Sequence, residues 1–185
     1  MESGMLLHHS NRTLITFYSR ILFGFLGKAM QAACKIDKRL LHEINELPEG
    51  SLMSFRIENE LIGITMQKHG NSFEKIVKKD SKAIPTVTSN VVFRFNSFND
   101  FLYVWHNGRS MQQAISEGRI HTEGPAALAC RYIRIVNATI IYLFCKRVAQ
   151  RKVRRYEPPP RLYLRRCSIL ARMLFQRGRT DNVLQ

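Results

Sequence analysis

Only four cysteines stand in 185 residues, at Cys34, Cys130, Cys145 and Cys167, and no two form a CxxC pair. Gaps this wide argue against a disulfide framework and predict free thiols in a reducing compartment. Histidine clusters are missing as well. Apart from His8 and His9, the six histidines are scattered, so no metal site has a spacing to support it. Acidic residues are scarce: 14 against 29 Lys and Arg leaves a net charge of +15. That imbalance calls for an anionic partner, nucleic acid or a membrane surface, and carries no information about the fold. A transmembrane span needs about 20 apolar residues; Thr13 to Gly27 is too short and is interrupted by Arg20. No GxSxG, phosphate-loop or dinucleotide fingerprint occurs, and there is no internal repeat.

What is present suits one domain with extensions. The apolar fraction of 45% is ordinary for a globular chain and large enough to bury a core. Residues 10 to 46 read as helical. Asn11 is placed to cap the first helix, and Leu14, Ile15, Tyr18, Ile21, Leu22, Phe25 and Leu26 recur at helical spacing. This apolar helix either packs on the domain or lies in a membrane interface. The alternative, a signal peptide ending at Ala32-Ala33-Cys34, is weakened by Gln31 and Arg20. Ile36, Leu40, Leu41 and Ile44 make a second amphipathic stretch, ended by Pro48-Glu49-Gly50.

Strands follow. Met53, Phe55 and Ile57 alternate with polar residues, as do Ile62, Ile64 and Met66, around a turn at Glu58-Asn59-Glu60; this predicts a hairpin. Residues 73 to 77 suggest a third strand, and Lys78 to Pro85 a polar connection. In a further strand Val91, Phe93 and Phe95 should point inward, because Arg94 must reach water. The pattern then turns helical. Ser97 and Asp100 form an approximate capping box for a helix bearing Phe98, Phe101, Leu102 and Trp105, which Asn107-Gly108 stops. Ser110 caps a short helix ended by Gly118. Arg119 to Glu123 is extended, and Gly124-Pro125 opens a last helix with proline in its first turn. Ala138 to Tyr142 is compatible with either a continued helix or an extended segment.

From Lys146 onward the chain carries twelve basic residues and two acidic ones, two thirds of the net charge. Pro158-Pro159-Pro160 divides this tail. A helix from Arg161 to Phe175 would carry Arg161, Arg165 and Arg172 on one stripe beside Leu162, Leu170, Met173 and Leu174. A solvated charge run and a nucleic-acid contact are both possible readings. Peripheral membrane binding is favoured, because the basic residues are interleaved with apolar ones and no nucleic-acid-binding signature is present.

Val91 to Ala129, "VVFRFNSFNDFLYVWHNGRSMQQAISEGRIHTEGPAALA", resembles the sterol-carrier domain family, the type-two sterol carriers. The order is a strand of alternating aromatics, a helix from a small polar residue, a turn at Asn107 to Ser110, and a second helix. Glu117-Gly118-Arg119-Ile120 then leads to Gly124. Pro125 departs from the family aspartate and offers no side-chain acceptor, so the last helix should start weakly or shifted. The resemblance spans about Gly50 to Phe144, with the strands before Val91 matching by pattern only.

The resemblance implies an α+β fold: a five-stranded, mainly antiparallel sheet covered on one face by helices, with an apolar tunnel between. It divides the chain into an N-terminal helical extension (1–49), a lipid-binding domain (50–145) and a basic tail (146–185). It implies a stand-alone bacterial binding or carrier protein for a sterol-like, fatty acyl, phospholipid or isoprenoid molecule, with no catalytic residue and no cofactor. Candidate lipid-binding residues are Phe93, Phe95, Phe98, Phe101, Leu102, Trp105, Ile115, Leu128 and Ile133. Candidate membrane contacts are Arg151, Lys152, Arg154, Arg155, Arg161, Arg165 and Arg172, which would place a cytoplasmic protein at the inner membrane surface. The competing classes are a ligand-free scaffold on the same fold and, less favoured, a basic nucleic-acid-binding protein. Glu43 with Glu46, Glu58 with Glu60, and Ser97, Asp100 and His106 are explained by solvation or capping; His121 and Glu123 are a weak acid–base pair at best.

Overall fold

A computed structural model describes residues 3–58, 62–76, 90–106, 109–153 and 157–175. The first helix, α1 (Ser3–Cys34), begins well before Asn11, so that residue lies inside the helix and does not cap it. The helical region also breaks. Asp37 takes an extended conformation and accepts a hydrogen bond from the Arg39 backbone N–H at 2.9 Å, capping α2 (Lys38–Asn45).

Five strands follow the alternation in the sequence. They are β1 (Leu52–Ile57), β2 (Ile62–His69), β3 (Ser72–Lys75), β4 (Val91–Phe95) and β5 (Ile120–Glu123), in spatial order β3-β2-β1-β4-β5. β1 and β2 form the expected antiparallel hairpin, and among the described strands only β1 with β4 is parallel. The turn at Glu58-Asn59-Glu60 and the connection from Lys78 to Pro85 lie wholly or partly outside the described residues. Register aligns Met53 with Met66 and Val91, and Phe55 with Ile64 and Phe93, so one face is apolar. These side chains are almost wholly buried. Arg94 points the other way and pairs with Glu123 on β5.

The helices pack on the apolar face. In α3 (Phe98–His106) the Asp100 backbone N–H donates to Ser97 Oγ at 3.1 Å, and the Ser97 hydroxyl donates to the Asp100 carboxylate at 2.7 Å. Ser110 and Gln113 make a reciprocal capping box at α4 (Met111–Ser116). The last long helix, α5 (Ala126–Leu143), runs through Ala138 to Tyr142, which settles the ambiguity there in favour of helix. Pro125 sits at its N-cap, one place before the first turn, and makes no side-chain cap bond. By length and composition α5 could cross a membrane, but more than half of it is buried inside the fold. Tyr132 anchors it, its ring tilted against Phe73 and its hydroxyl donating to Ser51 Oγ at 2.9 Å.

Two further helices, α6 (Lys146–Lys152) and α7 (Leu162–Phe175), fold back onto this body. Ile169 and Met173 of α7 and Phe23, Leu26 and Met30 of α1 belong to the same hydrophobic core as the sheet. Arg166 donates to the carbonyl oxygens of Ile141 and Phe144, closing the C-terminal end of α5. Neither terminal region is a detachable appendage, because each supplies side chains that the core buries.

Candidate functional site

The interior between α1, the sheet, α3 and α5 is where apolar side chains converge. Phe55 and Phe95 supply the floor, Val104, Trp105 and Met111 one wall, and Val136, Ile140 and Phe144 the other. Phe23 and Leu26 of α1 close the top, and Lys152 borders the end of the cavity. Gly27 lets α1 come this close: a Cβ there would meet Ile64 Cδ1 at 2.7 Å. The aromatic rings pack in series, tilted or edge-on to one another. Phe23 lies 4.7 Å from Phe101, Phe101 lies 5.4 Å edge-on from Phe95, and Trp105 joins Phe101 to Phe144 at 6.0 and 6.1 Å. The space left over is a cavity of about 30 Å³. That admits a water or two, whereas small-molecule pockets run to roughly 300–1,000 Å³. The space is therefore too small for a lipid in this conformation, with Phe23 and Leu26 of α1 packed against it.

Of the nine residues expected to bind lipid, Phe95 and Trp105 line this cavity directly. Phe93, Phe101 and Ile133 are buried in the surrounding core, while Phe98, Leu102, Ile115 and Leu128 pack against it half-buried. As cavity residues, sequence reasoning missed Phe55, Val104 and Met111 on the floor and one wall, Val136, Ile140 and Phe144 on the other, and Phe23, Leu26 and Lys152. Helical spacing makes the α1 stripe visible, but nothing local says that it docks over β2.

The basic residues divide in the same way. Arg151, Arg161 and Arg172 are exposed. Arg154 and Arg155 lie outside the described residues. Arg165 pairs with the buried Asp37 at 3.7 Å and helps hold α7 in place. Lys152 corrects the expectation of a membrane contact. It is 2% exposed, with its ammonium donating to the carbonyl oxygens of Val104 and Trp105 at the C-terminal end of α3. The Nζ also lies 5.0 Å from the Phe144 ring centroid. Helix C-termini and ring faces both favour a cation, which lets the charge persist inside. Burial still pushes its pKa down to about 8.

A second, wider groove of about 720 Å³ runs beside α5, lined by Asp37, Arg134, Asn137, Tyr142, Val153 and Glu157 among others. Tyr142 donates its hydroxyl hydrogen to Asp37 Oδ2 at 2.6 Å; burial and that carboxylate push its pKa up to about 12. Asp37 thus caps α2 and binds α5 and α7, a structural junction. Among the described residues no three His, Cys, Asp or Glu side chains come together to hold a metal ion. Cys34 is buried, which pushes its thiol up to about 12, and Cys130, Cys145 and Cys167 are exposed and unpaired.

Among the described residues, the large exposed apolar side chains fall on two helices. Phe17, Tyr18, Ile21 and Phe25 project from α1, and Tyr163, Leu164, Leu170 and Leu174 from α7. Because α1 also buries Phe23, Leu26 and Met30, it is apolar on its inward and outward sides.

No family model and no curated protein matches the chain. Among solved structures, the chain is similar to a ubiquinone synthesis protein described as "UbiJ-SCP2", with 10% identity, 69% of this chain and 96% of that one covered, and a TM-score of 0.42. It is also similar to sterol carrier protein 2 from Yarrowia lipolytica in its apo form, with 14% identity, coverage of 67% and 93%, and a TM-score of 0.44. A third is sterol carrier protein 2 like 2 from Aedes aegypti, at 13% identity, coverage of 56% and 94%, and a TM-score of 0.31.

Proposed function

We propose that this chain is a bacterial binding or carrier protein for a hydrophobic molecule, performs no reaction of its own, and rests peripherally on the anionic inner surface of the membrane. The observation that carries this reading is the interior described above. Its walls are apolar except for one ammonium, and one side is closed by two side chains of a helix that is itself apolar on both sides. A ligand with an acyl, sterol-like or isoprenoid body binds where Phe23 and Leu26 now sit, and α1 moves outward to admit it. Burying ligand surface contributes about 25 cal/mol per Å² and offsets the loss of those contacts. The outward face of α1, with Phe17, Ile21 and Phe25, meets a membrane, and the exposed arginines of α6 and α7 add attraction to anionic headgroups.

The test is extraction of the purified full-length protein with organic solvent, followed by mass spectrometry, alongside titration with the uncharged dye Nile red. We expect co-purified lipid or saturable dye uptake that competing lipid displaces. An empty extract together with no dye uptake rejects the reading and leaves a ligand-free scaffold.

A further inference from the structure

Three charged side chains are buried among the described residues: Asp37, Lys68 and Lys152. Two have counter-ions. Asp37 pairs with Arg165, and Lys68 with Glu49 at 3.2 Å. Lys152 has none: its partners among the described residues are two backbone carbonyls and a ring face, and burial alone accounts for its lowered pKa. A buried charge without a counter-charge is costly, and such a group is ordinarily paired or neutralised. Among the described residues, Lys152 is moreover the only titratable side chain bordering the apolar cavity.

We propose that Lys152 is the specificity-determining residue of the cavity and selects amphiphiles that carry a single negative charge on an apolar body. This rests on the reading of the cavity as a ligand site. The ammonium can turn from the Val104 and Trp105 carbonyls to an acidic head while the tail lies along Phe95, Trp105 and Val136. One ammonium neutralises one charge. A monocarboxylate therefore enters with its charge matched, whereas a dianionic phosphate would bring a second, unpaired charge into a low-dielectric site. An uncharged head leaves the ammonium unmatched, and a cationic head adds repulsion.

Three probes of equal chain length separate these cases: dodecanoate, dodecanol and dodecylammonium, each competing with Nile red on the full chain. Wild type should bind dodecanoate about ten-fold or more tightly than dodecanol, with dodecylammonium weakest. Lys152→Met should lose the preference for the acid and bind dodecanol at least as tightly as it binds dodecanoate. A purely structural lysine would leave the acid-to-alcohol ratio unmoved. A second measurement does not depend on the variant folding: carbodiimide coupling of dodecanoate to the wild-type protein, with the adduct located by mass spectrometry. An amide on Lys152 supports the proposal. Adducts confined to exposed lysines such as Lys28, Lys35, Lys38 and Lys146 overturn it, as does equal affinity for acid and alcohol in wild type. Binding of dodecanol without acid preference removes the role of Lys152 and keeps the cavity reading; binding of none of the three removes both.

Discussion

Lys152 is the residue at which burial and charge conflict most directly, and the conflict has a pH signature. Desolvation lowers its pKa from 10.5 to about 8 in the folded protein. In the unfolded chain the amine titrates at its ordinary value of about 10.4. Below about pH 8 it is charged in both states, and the cost of burial is fully present. Between the two values the folded amine is neutral while the unfolded one still holds its proton. The unfolded state then binds more protons, so this group's contribution to stability rises with pH. We therefore expect wild type to gain stability relative to Lys152→Met between about pH 7 and pH 10 in urea unfolding. A stability difference that stays flat across that range counts against a depressed lysine. Asp37 is a complementary case at the same scale, since its carboxylate serves the α2 cap, Tyr142 and Arg165 together. Asp37→Ala should cost about 2–4 kcal/mol, measured from the urea midpoint at unchanged slope. A loss under about 0.5 kcal/mol would show the junction to be dispensable.

Among the elements, the junction of β5 with α5 is where a single glycine decides whether the chain can close. Gly124 has φ +111°, and a Cβ there would lie 2.1 Å from the Asn90 carbonyl oxygen, which is backbone and cannot turn away. Gly124→Ala should therefore destabilise the fold by roughly 2–4 kcal/mol, lowering the thermal midpoint. A wild-type midpoint in the alanine variant would mean that the two segments do not approach so closely. Pro125 supplies the following N-cap with no side-chain acceptor, and α5 begins at Ala126 with that cap unmade. The helix stands because ten of its residues are buried, and tertiary packing outweighs a missing cap. The same reasoning explains why Ala138 to Tyr142, β-branched and undecided by propensity, is helical: Thr139 to Tyr142 are buried against the rest of the core.

For the whole molecule, the question is how charge and apolar surface combine. Phe17, Ile21 and Phe25 lie four residues apart along α1 and stay exposed, while Phe23 and Leu26 line the cavity. Under the proposed function, membrane attachment and access to the interior therefore involve the same helix. Phe17→Ser combined with Ile21→Ser should weaken sedimentation with phosphatidylglycerol vesicles several-fold and leave the unfolding midpoint within about 0.5 kcal/mol of wild type. Raising salt to about 0.5 M should weaken wild-type binding too, because headgroup attraction is screened at that ionic strength. Vesicle binding that neither change reduces would argue against attachment through α1 and the basic surface. Deleting residues 151–185 is a poorer test, since it removes Ile169 and Met173 from the core and Arg165 from Asp37.

The sequence by itself determined the basic charge, the alternation that turns Phe93 and Phe95 inward, the hairpin, and the caps at Ser97 and Ser110. Each follows from residues a few positions apart, where backbone period and local hydrogen bonding decide the outcome. The five-stranded sheet and its helical cover were implied instead by the resemblance of Val91 to Ala129 to the sterol-carrier domain family, with periodicity supplying the individual strands and helices. Only the tertiary structure decided that Phe23 and Leu26 occupy the interior, that Lys152 turns inward to carbonyls 47 and 48 residues away, and that Arg165 neutralises Asp37. Periodicity says which side of a helix is apolar but not which surface will cover it. A lysine or arginine in a basic tail reads as exposed until a distant carbonyl or carboxylate is brought within reach.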